Sequence, residues 1–513
     1  MSDNQSNNKR IAKNTLFLYG RMLFSLAVSL YTSRVILAAL GVEDYGIYNV
    51  VGGVVSMFAF LSNTMATACQ RFFNFEMGRG DQRKLKQTFQ TANMLMITLG
   101  VITVILAEFI GLWFLYNKLT IPVDRFVAAQ LVFHVAVISL FINIVSVPYN
   151  ASIIAHEKMS AFAYIGIYDV LMRLLIAMCV NYILYDKLIS YAILLFLVSL
   201  SIRLIYTAYC KRHFDECHNT KLTVEKSIAH GMLGFFGWNS IGAFSYVMKE
   251  QGVNIILNMF SGLVVNAARG VTTQVTGALY GFISNFQVAM NPQITKNYAS
   301  GQYEDLINLV HRGSKFSYFL FLFLALPVFL DIDFILSLWL KVGPDHTANF
   351  IRLTILLLSI DTLSSPIITT LLATGDVKKY QIIVGGLLLL NLPLSYLALR
   401  CGLAPESTIV IAILLSFISL LARLVLARNM VNFSIREYCI KVLFRVIAVS
   451  LISFAISYWI FTKLTFNDFF KLILICICSW VVTFILIMYI GLYKKERELL
   501  LSYALKSFNR IKR

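Results

Sequence analysis

Charged residues are scarce. Asp, Glu, Lys and Arg make up 14% of the 513 positions, against about 25% in a soluble domain. With 58% hydrophobic residues, that deficit excludes a soluble globular enzyme and a disordered chain. The eight cysteines form no CxxC pair and mostly sit inside apolar runs, so neither a disulfide scaffold nor a zinc ribbon is indicated. Cys210, His213, Cys217 and His218 are ligand-type residues, but their crowding fits standard zinc spacing poorly. There is no P-loop to bind ATP, and no HExxH, GxSxG or paired carboxylates in a loop able to host catalysis. No cofactor and no enzymatic activity are expected.

What the chain has instead is apolar length. A spanning helix needs about 20 mostly apolar residues. Fourteen stretches qualify, at roughly 14–40, 46–70, 88–115, 126–150, 161–185, 188–210, 229–258, 263–291, 313–340, 348–373, 380–400, 406–428, 441–463 and 468–492. Apolar residues run continuously instead of alternating, which excludes a membrane barrel. The first stretch is too long for a signal-peptide core and has no A-x-A-like cleavage site, so it is expected to stay. The expected fold is an all-α polytopic membrane protein.

The 44 Lys and Arg against 26 Asp and Glu would point to nucleic acid in a soluble protein. In a membrane chain their placement matters more, and nucleic acid is not expected as a partner. The termini and even-numbered loops hold roughly 28 cations and the odd-numbered loops roughly 7. Both termini are therefore expected in the cytoplasm. The basic tail after Leu492 has leucine spacing suited to an interfacial helix.

An internal repeat organises the stretches. Phe60-Leu61-Ser62-Asn63 recurs as Phe282-Ile283-Ser284-Asn285, 222 residues on. Gly80 and Leu85 recur as Gly301 and Leu306 at 221, and Pro148 and Ala155 as Pro366 and Ala373 at 218. Helices one to six thus pair with seven to twelve, in the same sense across the membrane. Parallel repeats of this kind rock around a midplane site. The expected division is an N-terminal lobe (1–228), a C-terminal lobe (229–428), and helices thirteen and fourteen with the tail (429–513).

Cations inside the spans cost at least about 2.5–3.5 kcal/mol each on insertion scales. Arg203, Arg352, Arg423 and Arg445 stand near helix ends, where they can snorkel to headgroups. Arg21, Arg34, Arg173, Lys249 and Arg269 need a partner or a wet cavity. Arg21, Ser25, Ser29 and Thr32 form one polar stripe within about 80° on helix one. Asn266, Arg269, Thr273, Thr276 and Tyr280 form another on helix eight. Helix seven aligns Asn239, Tyr246 and Glu250, with Lys249 to one side. Helix two carries Asn49, Ser56, Asn63 and Gln70 at heptad spacing. These stripes are expected to line a central cavity, although Arg34 lies about 220° round from Arg21 on an ideal helix.

Guanidinium binds phosphate and carboxylate bidentately and stays charged at physiological pH. The candidate cargo-binding residues are Arg21, Arg34, Asn63, Arg173, Lys249 and Arg269, and a polyanionic cargo follows from them. Asp169, Glu250 and Asp361 are candidates for ion coupling. Asp169 and Arg173, four apart, could equally be a packing ion pair. Pro366 is expected to bend helix ten and free backbone groups. Glu108 and His134 read as lone polar groups explained by packing.

The stretch from Thr32 to Tyr48 (TSRVILAALGVEDYGIY) resembles the end of the first helix in bacterial polysaccharide flippases of the Wzx type. Pro148 to Lys158 (PYNASIIAHEK) and Pro366 to Asp376 (PIITTLLATGD) resemble that family's fourth- and tenth-helix endings. The wider superfamily includes the multidrug MATE exporters and the murein lipid flippase. The resemblance implies two six-helix lobes around a cationic cavity. It implies transfer of undecaprenyl-pyrophosphate-linked oligosaccharide units for O-antigen or capsule assembly. Arg21 and Arg269 match the family's cavity arginines by helix and depth. Membrane lipids and a polysaccharide polymerase or assembly machinery are the implied partners. A multidrug antiporter using protons or sodium is the alternative.

Overall fold

The computed structural model describes residues 2–56, 58–117, 121–183, 185–218, 223–340, 345–464, 467–494 and 496–498. The side chains of Arg34, Asn49, Ser56 and Asn266 lie outside the described residues, as does the tail from 499 onward. Those described are almost entirely helical, and no strand occurs among them. Ten helices are long and apolar enough to cross a membrane. The other four of the fourteen stretches fall in the helices Ser2–Ser56, Ala59–Arg79, Lys226–Val247 and Val253–Ala299. Those four are the stretches with the polar stripes. Large apolar side chains stand exposed along the helices, among them Phe109, Leu204, Phe444, Leu451 and Phe470. Exposure on that scale is untenable in water and expected against lipid. This is a multi-pass membrane protein.

By internal packing the chain forms two compact units, Met1–Ala243 with Val288–Gln302, and Phe244–Gln287 with Tyr303–Arg513. In the first, the rings of Phe73, Phe89 and Tyr149 meet in sequence, tilted and then edge-on, at 5.9 and 5.2 Å, joining three helices in one apolar core. In the second, Ile283, Phe321, Ile332 and Ile351 make a comparable core.

Local sequence explains the breaks. Ser2–Ser56 is interrupted at Gly41, whose φ of 78° suits a residue with no Cβ. Helical hydrogen bonding continues from Lys226 to Ala299 through a wide π-turn at Met248–Gly252. Yet the chain doubles back within it. Arg269 Nε donates to Asn254 Oδ1 at 3.3 Å, whereas fifteen residues of straight helix span about 22 Å. The chain thus turns back on itself between Asn254 and Arg269.

The repeat is written in backbone geometry. Gly80 and Gly301 both end a helix in the left-handed region, with φ of 72° and 75°. The same pair of bonds closes each end: Gly80 N–H to Met77 O and Asp81 N–H to Glu76 O, then Gly301 N–H to Tyr298 O and Gln302 N–H to Asn297 O. Glu157 and Gly375, 218 apart, are likewise left-handed after the proline-bearing helices. Beside Pro366, the carbonyl of Leu363 accepts bonds from Ser314 Oγ and Tyr438 Oη. Neighbouring helices thereby satisfy a group next to the proline.

On the side of the odd-numbered loops, Arg125 ties three connections of the first unit. Its Nε bonds Asp44 Oδ1 at 2.8 Å and its Nη1 bonds Asp186 Oδ2 at 2.6 Å. Asp186 also caps the helix Lys187–His213 through the N–H groups of Leu188 and Ile189. In the second unit His346 holds Glu406 at 2.7 Å, and these positions follow Arg125 and Asp186 by 221 and 220 residues.

Candidate functional site

Each unit contains a polar cluster among membrane-spanning helices, and their charge balance differs. In the second unit, the π-turn Met248–Gly252 carries Lys249 and Glu250. Gly252 lets this turn approach its neighbour, since a Cβ there would stand 2.6 Å from Leu392 Cδ1. Lys249 is 4% exposed and faces Asp361 at 3.9 Å, while Ser416 Oγ donates to the Asp361 carboxylate. Arg269 Nη2 lies 3.6 Å from Glu250 Oε2, and its Nε is held by Asn254. Two cations therefore meet two carboxylates. Lys249 and Arg269, expected to need a partner or a wet cavity, have partners in this balanced network.

Two other stripe residues of helix eight turn back on their own backbone. Thr273 Oγ1 donates to Arg269 O and Thr276 Oγ1 to Thr272 O, the usual way a hydroxyl is accommodated in an apolar helix.

In the first unit the helix bearing Arg21 packs on the helix Met159–Cys179. The Arg21 guanidinium lies over the Phe162 ring at 4.4 Å, and the side chain crosses Gly166, where a Cβ would meet Cδ at 2.6 Å. Tyr206 lies within electrostatic reach and receives a hydrogen bond from Asn150. Among the described residues no carboxylate forms an ion pair with Arg21. Arg203, over the Tyr149 ring at 4.3 Å, leaves Nη1 buried with no hydrogen-bond partner among them. This unit thus presents arginines faced by aromatic rings. A π-face attracts a cation without neutralising it.

The remaining candidates are dispersed. Arg173 Nε donates to Asp169 Oδ1 at 2.7 Å, so these two satisfy each other along one helix. Asn63 is exposed on the helix Ala59–Arg79, whereas its repeat partner Asn285 is buried and bonds Gly281 O. Glu108 and His134, read singly from the sequence, form one pair across two helices at 3.0 Å. Three of the four arginines expected at headgroups are held by the protein: Arg352 bonds Asp333 at 2.6 Å, Arg445 bonds Ile490 O beneath Tyr493, and Arg203, as above, lies over Tyr149. The fourth, Arg423, is 5% exposed, with Nε and Nη1 buried and without a hydrogen-bond partner among the described residues. Of the candidate zinc residues, His213 stacks on Tyr209, while Cys210 donates to Tyr149 O and lies beside Cys217.

Residues 243–397 match the sequence profile of the MatE family. No curated protein matches the chain. Among solved structures, a MATE protein in a bent conformation superposes with TM-score 0.71 at 12% identity, covering 83% of this chain and 96% of that one. An outward-facing multidrug resistance MATE transporter of the MOP superfamily gives 0.69 at 12%, with coverage of 82% and 96%. A MOP superfamily transporter from Pyrococcus furiosus, reported to have a binding pocket of reversed polarity, gives 0.67 at 13%, with the same coverage. The fold is that of the MATE transporters. The matched profile covers Lys249, Glu250, Arg269 and Asp361, so the balanced network lies within it.

Proposed function

We propose that the protein is a flippase for undecaprenyl-pyrophosphate-linked oligosaccharide units, carrying them from the cytoplasmic to the outer leaflet of a bacterial inner membrane. The observation that carries this reading is Arg21, held over Phe162 and Gly166 with no carboxylate pairing among the described residues. An unneutralised guanidinium among apolar helices favours a phosphate-bearing cargo, which it can grip with two hydrogen bonds. The residues resembling those of polysaccharide flippases, from Thr32 to Tyr48, lie on the same helix and agree with it. In this reading the polyprenyl chain stays in the bilayer while the sugar-pyrophosphate head crosses. Asp361, paired with Lys249, is the proposed coupling residue, because protonation of its carboxylate would release the lysine for other partners.

The alternative is a cation-coupled multidrug antiporter. Glu250 and Asp361 favour it, since acidic side chains inside a carrier suit cationic cargo, and the structural neighbours include a multidrug transporter. Protein reconstituted in liposomes discriminates between the two. The proposal expects outward movement of a fluorescent polyprenyl-pyrophosphate glycan. Proton release driven by a cationic dye, with no glycan movement, would reverse the assignment.

A further inference from the structure

At the end of the second unit that carries the chain's basic tail, a cavity of about 390 Å³ opens beside the first turns of the helix Tyr303–Leu330. Its lining includes His311, Arg312, Lys315, Lys441, Lys494 and Glu496, four cations against one carboxylate. Lys315 is 1% exposed and spends two of its three donors on Glu496, at 2.7 and 3.0 Å. Arg312 reaches the same carboxylate only at 3.7 Å. Lys441 uses Glu437, and Lys494 stands exposed at the rim. The cations thus outnumber the carboxylates that could satisfy them.

His311 supplies the second, independent observation. It is 4% exposed, packed against Phe433 and Tyr438, and neither ring nitrogen has a hydrogen-bond partner among the described residues. A buried polar group without a partner carries its full desolvation cost, so a ligand that bonds it gains what the apo protein forgoes. An imidazole N–H, the remaining donor of an ammonium and a half-free guanidinium belong to side chains that line one cavity, a set suited to an acceptor-rich anion of small volume. Phosphate meets that requirement, and carboxylate alone would use fewer of the donors.

We infer that this cavity binds a phosphate group, borne either by a soluble diphosphate or by the headgroup of an anionic lipid. The site shares no residue with the cluster around Arg21 or with the Lys249 network, so its failure would leave the flippase reading untouched.

The test uses the full-length protein in nanodiscs. In phosphatidylcholine discs, inorganic pyrophosphate is titrated by calorimetry at fixed ionic strength. In discs containing phosphatidylglycerol, lipid retained by the protein is counted by native mass spectrometry. Saturable pyrophosphate binding identifies a soluble ligand, and retained phosphatidylglycerol without pyrophosphate binding identifies a lipid. His311→Phe keeps an aromatic ring, though a larger one, and removes both nitrogens, and Arg312→Ala with Lys494→Ala removes a half-buried and an exposed cation. Each variant is expected to weaken the observed binding at least tenfold while leaving the unfolding midpoint near that of the parent. Neither ligand binding, or binding that both variants leave unchanged, overturns the site.

Discussion

Arg21 lies against Gly166 so closely that a Cβ at position 166 would stand 2.6 Å from its Cδ. The clearance holds the guanidinium over Phe162 and fixes where a bound anion would meet it. Gly166→Ala is therefore expected to displace Arg21 and lower glycan transfer several-fold. Alanine in a helix interior is favoured over glycine by about 1 kcal/mol, so the unfolding midpoint should stay level or rise. A variant that loses transfer and stability together would place Gly166 in packing alone.

Asp361 faces buried Lys249 and accepts from Ser416. If it couples transport to an ion, Asp361→Asn should leave downhill glycan movement measurable but insensitive to an imposed pH or sodium gradient. An unaltered gradient response would assign coupling elsewhere.

Glu157, with its side chain 1% exposed, accepts from Lys296 Nζ at 2.8 Å and Gln293 Nε2 at 2.6 Å. Lys296→Met strands a buried carboxylate, and such losses cost about 3–5 kcal/mol. The midpoint of thermal unfolding should fall sharply and recover in part when Glu157→Gln is added. Equal midpoints for the single and double variants would show that the pair is solvated.

Two carboxylates on the odd-loop side set a pH dependence. Burial opposes ionisation of Glu406, but hydrogen bonds from His346, the backbone and Asn349 outweigh it and hold its carboxyl below the usual range. Burial likewise opposes ionisation of Asp186, and Arg125 with the N–H groups of Ile189 and Leu188 overcomes it. A depressed folded-state value means that the stabilisation is complete above the ordinary carboxylate range, about pH 4. It is lost as pH falls through the lower folded values. Unfolding midpoints measured from pH 7 downward should drop below about pH 4, and Glu406→Gln should flatten part of that drop.

Much of the scaffold was legible from the residues. The stretches, their short loops and the repeat all follow from apolar length and spacing. Gly80 and Gly301 were visible as a repeated pair because only a residue tolerant of positive φ ends a helix that way cheaply. The pairings were harder to read. A period of 3.6 places Lys249 to one side of Glu250, and it cannot register the wider turn at Met248–Gly252 that brings both to inner partners. Glu108 and His134 are 26 apart and became a pair only through packing. His346 and Glu406 could have been found by carrying Arg125 and Asp186 along the repeat. A histidine in place of an arginine hid the match.

Arg21 is the crux. The most direct measurement is the rate at which reconstituted protein transfers a fluorescent polyprenyl-pyrophosphate glycan, compared among the parent, Arg21→Lys, Arg21→Ala and Arg269→Ala. The account predicts near-complete loss for Arg21→Ala, a partial loss for Arg21→Lys, which keeps charge without the bidentate fork, and a smaller effect for Arg269→Ala, whose charge is already matched by Glu250. Full activity in Arg21→Ala would contradict it.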